Sequence, residues 1–192
     1  IENSVINNNT ILSENDNLAT YGGGIKAASS NLTLNNVVIS QNSANYGAGV
    51  DLYTSNATLN EVSIIDNDGQ GFTAMNLSPD SYTIILNNLV ISNSKSHIYS
   101  SEGIALSTRN YNVIMDSAFI SGSTDLTTWQ ELPSVQLSND NYAAWYKGEA
   151  YFKNVVINEN LYSNLYIENM DFNIINSNLL SNFAPNYILN IS

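Results

Sequence analysis

The feature that most constrains the fold of this chain is a short phrase that returns along it. The stretch LTLNNVVISQN at 32–42 returns as ATLNEVSIIDN at 57–67. Related phrases are VINNNTILSEN (5–15), IILNNLVISNS (84–94), VIMDSAFISGS (113–123), AYFKNVVINEN (150–160) and NIINSNLLSN (173–182). A period of about 20 to 50 residues is typical of solenoids and other repeat architectures.

Large apolar residues occupy the same two phases in the copies of this phrase. One column of equivalent positions runs Leu12, Ile39, Ile64, Ile91, Ile120, Ile157 and Leu180. The other runs Leu34, Leu59, Leu86, Met115, Phe152 and Ile175, with Ile6 before it. Stacked repeats place equivalent residues in equivalent surroundings, so we predict that each column lies in one shared core.

A second apolar segment lies between the copies and alternates in hydrophobicity. Its pairs are Ile25/Ala27, Val50/Leu52, Met75/Leu77, Ile104/Leu106, Val135/Leu137, Leu165/Ile167 and Leu189/Ile191. The spacing of i and i+2 predicts strands with one buried face, because successive side chains of a strand point to opposite sides. Each period therefore holds three short strands.

The gaps between these strands are too short for helical crossovers. Parallel strands joined without helices can stack coil upon coil, about 4.8 Å apart, around one continuous interior. We predict an all-β fold, a right-handed single-stranded parallel β-helix of about seven coils with three short strands per coil. It is expected to occupy residues 1–192 as a single segment.

Asparagine marks the bend between the second and third strands of most repeats. The bend positions are Asn8/Asn9, Asn35/Asn36, Asn60, Asn87/Asn88, Asp116, Asn154 and Asn176. Asparagine tolerates the left-handed backbone conformation, and stacked amides can hydrogen-bond along the axis as a ladder. The glycines of YGGGI (21–25) and YGAGV (46–50) predict a tight corner before the first strand.

The charge of the chain argues against one class of partner. The formal net charge is −12, from 17 acidic and 5 basic residues, and 33 of the 192 residues are asparagine. A nucleic-acid interface needs clusters of Lys and Arg, so no nucleic-acid partner is expected. No apolar run is long enough to cross a bilayer, and we expect no membrane insertion by this segment.

Both ends of the sequence fall inside strand-like phases without a capping segment. Open β edges invite aggregation, and solenoids normally cover them with caps. We therefore expect the chain to be part of a longer protein, or its ends to meet further copies in an end-to-end filament.

The glycine-containing repeats resemble a known group of proteins. LSEN…YGGGI (12–25) and ISQNSANYGAGV (39–50), with IIDNDGQGFTAM (64–75) as a degenerate third copy, are similar to the FxxN…GGAI pattern. That pattern characterises bacterial polymorphic outer-membrane proteins and the wider set of right-handed β-helix surface proteins. The resemblance implies an exported, cell-surface or secreted β-helix with an adhesive or passive role, and it implies no catalytic residues.

The parallel β-helix also hosts polysaccharide lyases and hydrolases, so the sequence has to be searched for a catalytic set. A lyase needs a base beside calcium-binding carboxylates, and neither Arg109 nor His97 has such neighbours in the repeat alignment. A hydrolase needs paired carboxylates, but Asp51 falls on a different side of the coil from Asp66 and Asp68. We predict a protein that is not an enzyme, with lyase or hydrolase activity as the alternative.

The stretch IDNDGQG (65–71) has the composition of a partial calcium loop. Asp66, Asn67 and Asp68 offer hard oxygen ligands, and two glycines permit a tight turn. The spacing of a complete EF-hand loop is missing, so an ordinary Asp–Gly turn is the alternative. Ca²⁺ is the one cofactor that the sequence suggests.

Residues 121–150 contain enlarged, aromatic turns. Both tryptophans, Trp129 and Trp145, lie there with Tyr142 and Tyr146. Insertions on a solenoid face often carry binding sites, and exposed rings beside Asp and Asn suit stacking against sugars. The alternative is that these rings fold back and cover the outer sheet as a small satellite core.

These features favour a non-catalytic structural or adhesive segment of an extracellular or cell-surface bacterial protein. The expected partner is a polysaccharide or a host or cell surface. Carbohydrate recognition by residues 121–150 is the alternative from the binding class.

Overall fold

The computed structural model describes residues 1–11, 19–96, 104–125, 133–139, 148–158, 165–179 and 189–191. Within these ranges the regular structure is entirely β, as predicted. None of the described residues belongs to a helix of the length and apolar character needed to span a membrane.

The described residues form short strands, two or three to most repeats. The first ten are β1 (Glu2–Asn7), β2 (Ile25–Ala28), β3 (Asn31–Ser40), β4 (Val50–Tyr53), β5 (Asn56–Ile65), β6 (Phe72–Met75), β7 (Thr83–Asn87), β8 (Val90–Ser92), β9 (Lys95–Ser96) and β10 (Leu106–Arg109). The next ten are β11 (Asn112–Asp116), β12 (Phe119–Ser121), β13 (Thr124–Asp125), β14 (Val135–Ser138), β15 (Gly148–Lys153), β16 (Val156–Asn158), β17 (Leu165–Glu168), β18 (Met170–Ile175), β19 (Asn178–Leu179) and β20 (Leu189–Ile191).

The strands form parallel sheets in which each strand pairs with its equivalent from the next repeat. One sheet has seven strands in the order β2-β4-β6-β10-β14-β17-β20. A longer sheet has eleven strands, and a third sheet consists of β9 and β13. In the longer sheet β5 runs unbroken and pairs with β7 through its first half and with β8 through its second. This arrangement is compatible with a parallel β-solenoid.

The central members of both predicted columns are strand-register partners. Ile39, Ile64, Ile91, Ile120 and Ile157 follow one another across paired strands. Leu34, Leu59, Leu86, Met115 and Phe152 do the same. All ten side chains are fully buried, so this part of the prediction is confirmed.

The ends of the two columns were predicted wrongly. Ile6 pairs with Ile39, the place given to Leu12, which lies outside the described residues. At the other end Ile157 pairs with Leu179 instead of Leu180, and Phe152 pairs with Ile174 instead of Ile175. The first repeat is longer than the second, so an alignment of nearly constant length selects Leu12 in place of Ile6. Each of the two C-terminal sites offers two adjacent apolar residues, and a slip of one residue exchanges the faces of a strand. Hydrophobicity alone therefore could not choose between them.

Two of the predicted alternating pairs were also misplaced. Phe72 and Ala74 pair with Val50 and Leu52, in the positions given to Met75 and Leu77. Leu106 and Thr108 then follow, in the positions given to Ile104 and Leu106. The interval in sequence from Val50 to Phe72 is shorter than the interval from Ile25 to Val50. A repeat of constant length, counted from Val50, therefore reaches Met75 and misses the start of β6. Leu77 is 59% exposed, as expected for a residue beyond the strand.

The predicted bends are left-handed corners, although their residues are not always asparagine. The corner in the longer sheet has positive φ at Asn3, Asn36, Glu61, Asn88, Ser117, Asn154 and Asn176. Asn8 instead belongs to the next corner, with Gln41, Asp66 and Asn93. Asn8/Asn9 was therefore assigned to the wrong bend. The reason is that the first repeat contains more residues than the second, as the interval from Asn3 to Asn36 exceeds that from Asn36 to Glu61.

Asparagine side chains connect successive repeats both outside and inside the sheets. On the outside Asn60 Nδ2 donates to Asn35 Oδ1 at 2.8 Å, and Asn87 Nδ2 donates to Asn60 Oδ1 at 2.9 Å. Inside, Asn67 Oδ1 accepts from the backbone N–H of Asn42 at 3.0 Å and from its Nδ2 at 3.2 Å. The predicted ladder is confirmed, and the inner ladder was not foreseen.

Two glycines make the corner before the seven-stranded sheet. Gly22 and Gly47 have φ of +72° and +52°, a conformation that residues with a Cβ rarely adopt. A Cβ on Gly47 would lie 2.5 Å from the carbonyl oxygen of Val50. Both motifs therefore need glycine immediately after their tyrosine.

We expect Asn67→Ala to lower the free energy of unfolding by about 2 kcal/mol or more, because buried polar groups lose their partners. The affected groups are the N–H of Asn42 and the carbonyl of Ile39, which accepts from Asn67 Nδ2 at 3.1 Å. The matched control is Asn56→Ala on an exposed ladder, where water replaces the lost bonds and about 1 kcal/mol or less is expected. Urea unfolding measures both, and equal losses would contradict the inner ladder's role.

Candidate functional site

A cavity lies on the outer face of the seven-stranded sheet, across β2, β4, β6 and β10. Alternation turns Ile25, Val50, Phe72 and Leu106 into the core and leaves the intervening residues facing outward. The register aligns Lys26, Asp51, Thr73 and Ser107 in one outward column and Ala28, Tyr53, Met75 and Arg109 in the next. The two columns form the floor of a cavity of about 390 Å³.

Two stacked tyrosines stand at the rim of this cavity. The rings of Tyr21 and Tyr46 are 4.9 Å apart between centroids and 12° from parallel. Their backbones also form a parallel bridge, so the rings are equivalent residues of adjacent repeats. Each tyrosine precedes a left-handed glycine, Gly22 or Gly47, which fixes the direction in which the chain enters the sheet.

Charged groups converge beside the tyrosines. Lys26 Nζ lies 3.5 Å from Asp51 Oδ2 and 4.7 Å from the ring centroid of Tyr21, within the range of a cation–π contact. Thr73 Oγ1 donates a hydrogen bond to Asp51 Oδ1 at 2.8 Å. Burial raises the pKa of the Asp51 carboxyl above its ordinary value, although Thr73 and Lys26 act in the opposite direction.

The remaining lining gives the cavity both apolar and polar character. Tyr53, 41% exposed, and Met75 supply apolar surface, and Arg109 supplies a second cation. Ser107 lines the cavity beside Arg109 and is itself buried. A mostly apolar concavity with a few convergent polar groups is the usual form of a small-molecule site. Chemically, it can hold and orient a ligand.

A shallower groove lies on the outer face of the longer sheet. Ile114 and Tyr151 line it with Glu149 and Asp171, which are register partners on β15 and β18. The predicted columns did not reveal this carboxylate pair, because they align Phe152 with Ile175 instead of Ile174 and so place Phe172 opposite Glu149. The pair is an exposed acidic patch beside two partly exposed apolar side chains.

The residues predicted to bind sugars lie outside the described ranges. These are Trp129, Tyr142, Trp145 and Tyr146, and His97 lies outside them as well. Arg109, expected on the surface, is half-buried and lines the cavity on the seven-stranded sheet.

The three predicted calcium ligands differ in exposure and in hydrogen bonding. Asp66 is exposed at a left-handed corner, where Asn93 Nδ2 donates to its Oδ1 at 2.8 Å. Asn67 points inward and its side chain belongs to the inner ladder, whereas Asp68 is exposed. Within the described part of the chain no three His, Asp or Glu side chains are grouped as a metal site would require. Calcium binding by Asp66, Asn67 and Asp68 stays a prediction.

The sequence contains a recurring tyrosine that indicates this cavity and that was overlooked when only the glycines of the motif were interpreted. Tyr21 and Tyr46 occupy the same place in two successive copies of the glycine motif, immediately before the corner. Equivalent aromatic residues in adjacent coils must stack once the repeat is parallel. The outward phase of Lys26 and Asp51 follows from the same alternation that identified Ile25 and Val50 as core.

Comparison with known proteins gives no family for this chain. No protein-family model matches it, and no curated protein or solved structure shows significant similarity.

We expect Asp51→Asn to gain stability relative to the natural chain as pH rises. A folded-state pKa above the ordinary 3.8 means that stability present at low pH is lost as pH rises through the folded-state pKa. An amide does not ionise, so the melting temperature of the variant minus that of the natural chain should be larger near pH 7 than near pH 3.

Asp116→Asn is the matched control, since hydrogen bonds from Ser117 and Asn154 and the charge of Lys153 hold the pKa of Asp116 below its ordinary value. Its carboxylate contributes stability above the unfolded-state pKa, and that contribution is lost as pH falls through the folded-state pKa. The difference for Asp116→Asn should therefore change with pH in the opposite direction. Parallel trends in the two variants would contradict the assigned burial of Asp51.

Proposed function

We propose that the chain is a right-handed, single-stranded parallel β-helix of about seven coils with three strands per coil. Three features support this arrangement: the pairing of each strand with its equivalent in the next repeat, the left-handed corners, and the aliphatic columns inside. A right-handed sense is the usual one for parallel strands joined by crossovers in one sheet.

On this scaffold the chain acts as a non-catalytic structural or adhesive segment of an extracellular bacterial surface protein. The observation that carries the proposal is the seven-stranded sheet, in which β2, β4, β6, β10, β14, β17 and β20 pair in parallel without interruption. Stacked repeats whose backbone groups bond to their neighbours give a stiff spacer, and a protease must open the stack locally before it can cleave a strand. The abundance of asparagine and the resemblance of the glycine repeats to bacterial surface proteins agree with this role.

The spacer would present its outer faces to a polysaccharide or to a host or cell surface. Extracellular or cell-surface location is part of the proposal, and so is the expectation that nucleic acid is not a partner. A further alternative is a subunit of an end-to-end filament. The catalytic alternative, a polysaccharide lyase or hydrolase, would require turnover of a polysaccharide by the purified chain.

We expect antibodies against this chain to label intact cells that produce it, because a surface spacer is accessible without lysis. Brief protease treatment of the same cells should release fragments that contain the β-helix, since local opening of stacked strands is rare. A cytosolic protein probed in the same samples controls for lysis. Labelling that appears only after permeabilisation would contradict the proposed location.

Carbohydrate recognition by residues 121–150 is a second candidate, favoured by the presence of both tryptophans in those turns. Binding of the purified chain on a glycan array should then fall at least about tenfold in Trp129→Ala and Trp145→Ala, because an aromatic platform is lost. Tyr151→Ala, on the longer sheet, is an aromatic control outside these turns. Binding that is indifferent to both tryptophans would eliminate this candidate.

A further inference from the structure

The outward residues in the cavity on the seven-stranded sheet separate into a polar column and an apolar column. The polar column consists of Lys26, Asp51, Thr73 and Ser107, and the apolar column consists of Ala28, Tyr53 and Met75. Residues two apart on a strand face the same side at a separation of about 7 Å, so the two columns run side by side. The cavity therefore offers a ligand one polar edge and one apolar surface.

The charged groups of the polar column neutralise each other. Lys26 Nζ lies 3.5 Å from Asp51 Oδ2, and Asp51 Oδ1 accepts a hydrogen bond from Thr73 at 2.8 Å. Arg109, in the same lining, is half-buried and already engaged in an interaction of its own. The whole chain has a net charge of −12, which repels anions. An uncharged ligand is therefore the class that these groups favour.

The hydroxyl of Ser107 requires a polar partner from the ligand. Ser107 is 5% exposed and lines the cavity, and no described residue forms a hydrogen bond with its side chain. Thr73, on the neighbouring strand, gives its one hydroxyl hydrogen to Asp51 and can only accept a further bond. A ligand hydroxyl both donates and accepts, so it satisfies both residues. A wholly apolar ligand would remove water from them without replacing its hydrogen bonds.

Tyr53 supplies the apolar surface beside these hydroxyls. The ring of Tyr21 already contacts the ring of Tyr46 at 4.9 Å and Lys26 Nζ at 4.7 Å. Tyr53 has no such ring contact with another described residue, and it is 41% exposed. Its ring is therefore open to a ligand. A sugar ring has the complementary form, since its C–H face packs on an aromatic surface while the hydroxyls at its edge form hydrogen bonds.

We infer that this cavity binds an uncharged saccharide, whose ring lies on Tyr53 and whose hydroxyls form hydrogen bonds with Thr73 and Ser107. The cavity volume of about 390 Å³ is within the usual range of ligand pockets, about 300–1,000 Å³. This site is distinct from residues 121–150. Binding here does not depend on where the protein is located, so a failure of the proposed surface location would leave this inference intact.

The test begins with the purified chain on an array of neutral glycans and their uronic-acid or sulfated counterparts. The neutral glycan with the strongest signal is then titrated calorimetrically, and p-cresol provides an apolar arm without sugar hydroxyls. We expect saturable binding of the neutral glycan, with an affinity that changes less than about twofold when sodium chloride is raised from about 50 mM to about 500 mM. Binding of acidic glycans alone, of p-cresol alone, or of none of these probes would overturn the inference.

Variants assign the binding to this cavity. Tyr53→Ala should weaken binding of the neutral glycan at least about tenfold, whereas Tyr53→Phe keeps the platform and should stay within about twofold. Ser107→Ala removes one hydrogen bond and should weaken binding about threefold to tenfold. The matched controls on the longer sheet, Tyr151→Ala and Ser63→Ala, should bind as the natural chain does. Binding unchanged in Tyr53→Ala and Ser107→Ala, or lost equally in the controls, would refute the site.

The same measurement separates this cavity from residues 121–150. Trp129→Ala and Trp145→Ala should leave binding of the neutral glycan unchanged if Tyr53 carries it. Binding that is lost in the tryptophan variants and kept in Tyr53→Ala would assign the glycan to those turns and overturn the inference. Circular dichroism checks the fold of each variant. If Ser107→Ala does not fold, the comparison of Tyr53→Ala with Tyr53→Phe decides.

Discussion

Parallel backbone hydrogen bonding between each repeat and the next is the interaction on which the rest of this structure depends. It fixes the register, and the register places Ile39, Ile64 and Ile91 over one another in the core. The same pairing brings equivalent polar residues together, which is why Asn35 and Asn60 form a ladder instead of separate surface amides. The core, the asparagine ladders and the outward columns therefore all result from the same register between successive repeats.

The sequence was sufficient where the recurring phrase itself could be aligned. The predicted columns hold from Leu34 to Phe152 although the interval between their members lengthens along the chain. The prediction fails in the short alternating segment, which lacks this phrase, as between Val50 and Phe72, or where two apolar neighbours such as Ile174 and Ile175 compete for one inward position. Periodicity records which faces are apolar, but the length of each connection is decided by backbone geometry that hydrophobicity does not record.

The cavity on the seven-stranded sheet illustrates a different difficulty. Its residues occupy the outward phase, where repeats need not resemble one another, and Lys26, Asp51 and Thr73 share no chemical type. Similarity between repeats therefore does not mark such a column as a unit. Only the tyrosines recur, and a search for recurring aromatic residues beside the corners would have found Tyr21 and Tyr46. The predicted pairs Ile25/Ala27 and Val50/Leu52 already place Lys26 beside Asp51, but Thr73 lies where the predicted alignment failed.

The unequal number of residues between successive paired strands has a consequence for how the sequence of such a chain can evolve. The strands β4 and β6 pair in full register although their connection is short, and β6 and β10 pair equally well across a much longer connection. Connection length is thus uncoupled from strand pairing. Insertions and deletions between strands can remodel the exterior while the interior remains intact, so new specificities can arise on a scaffold that does not have to be rebuilt.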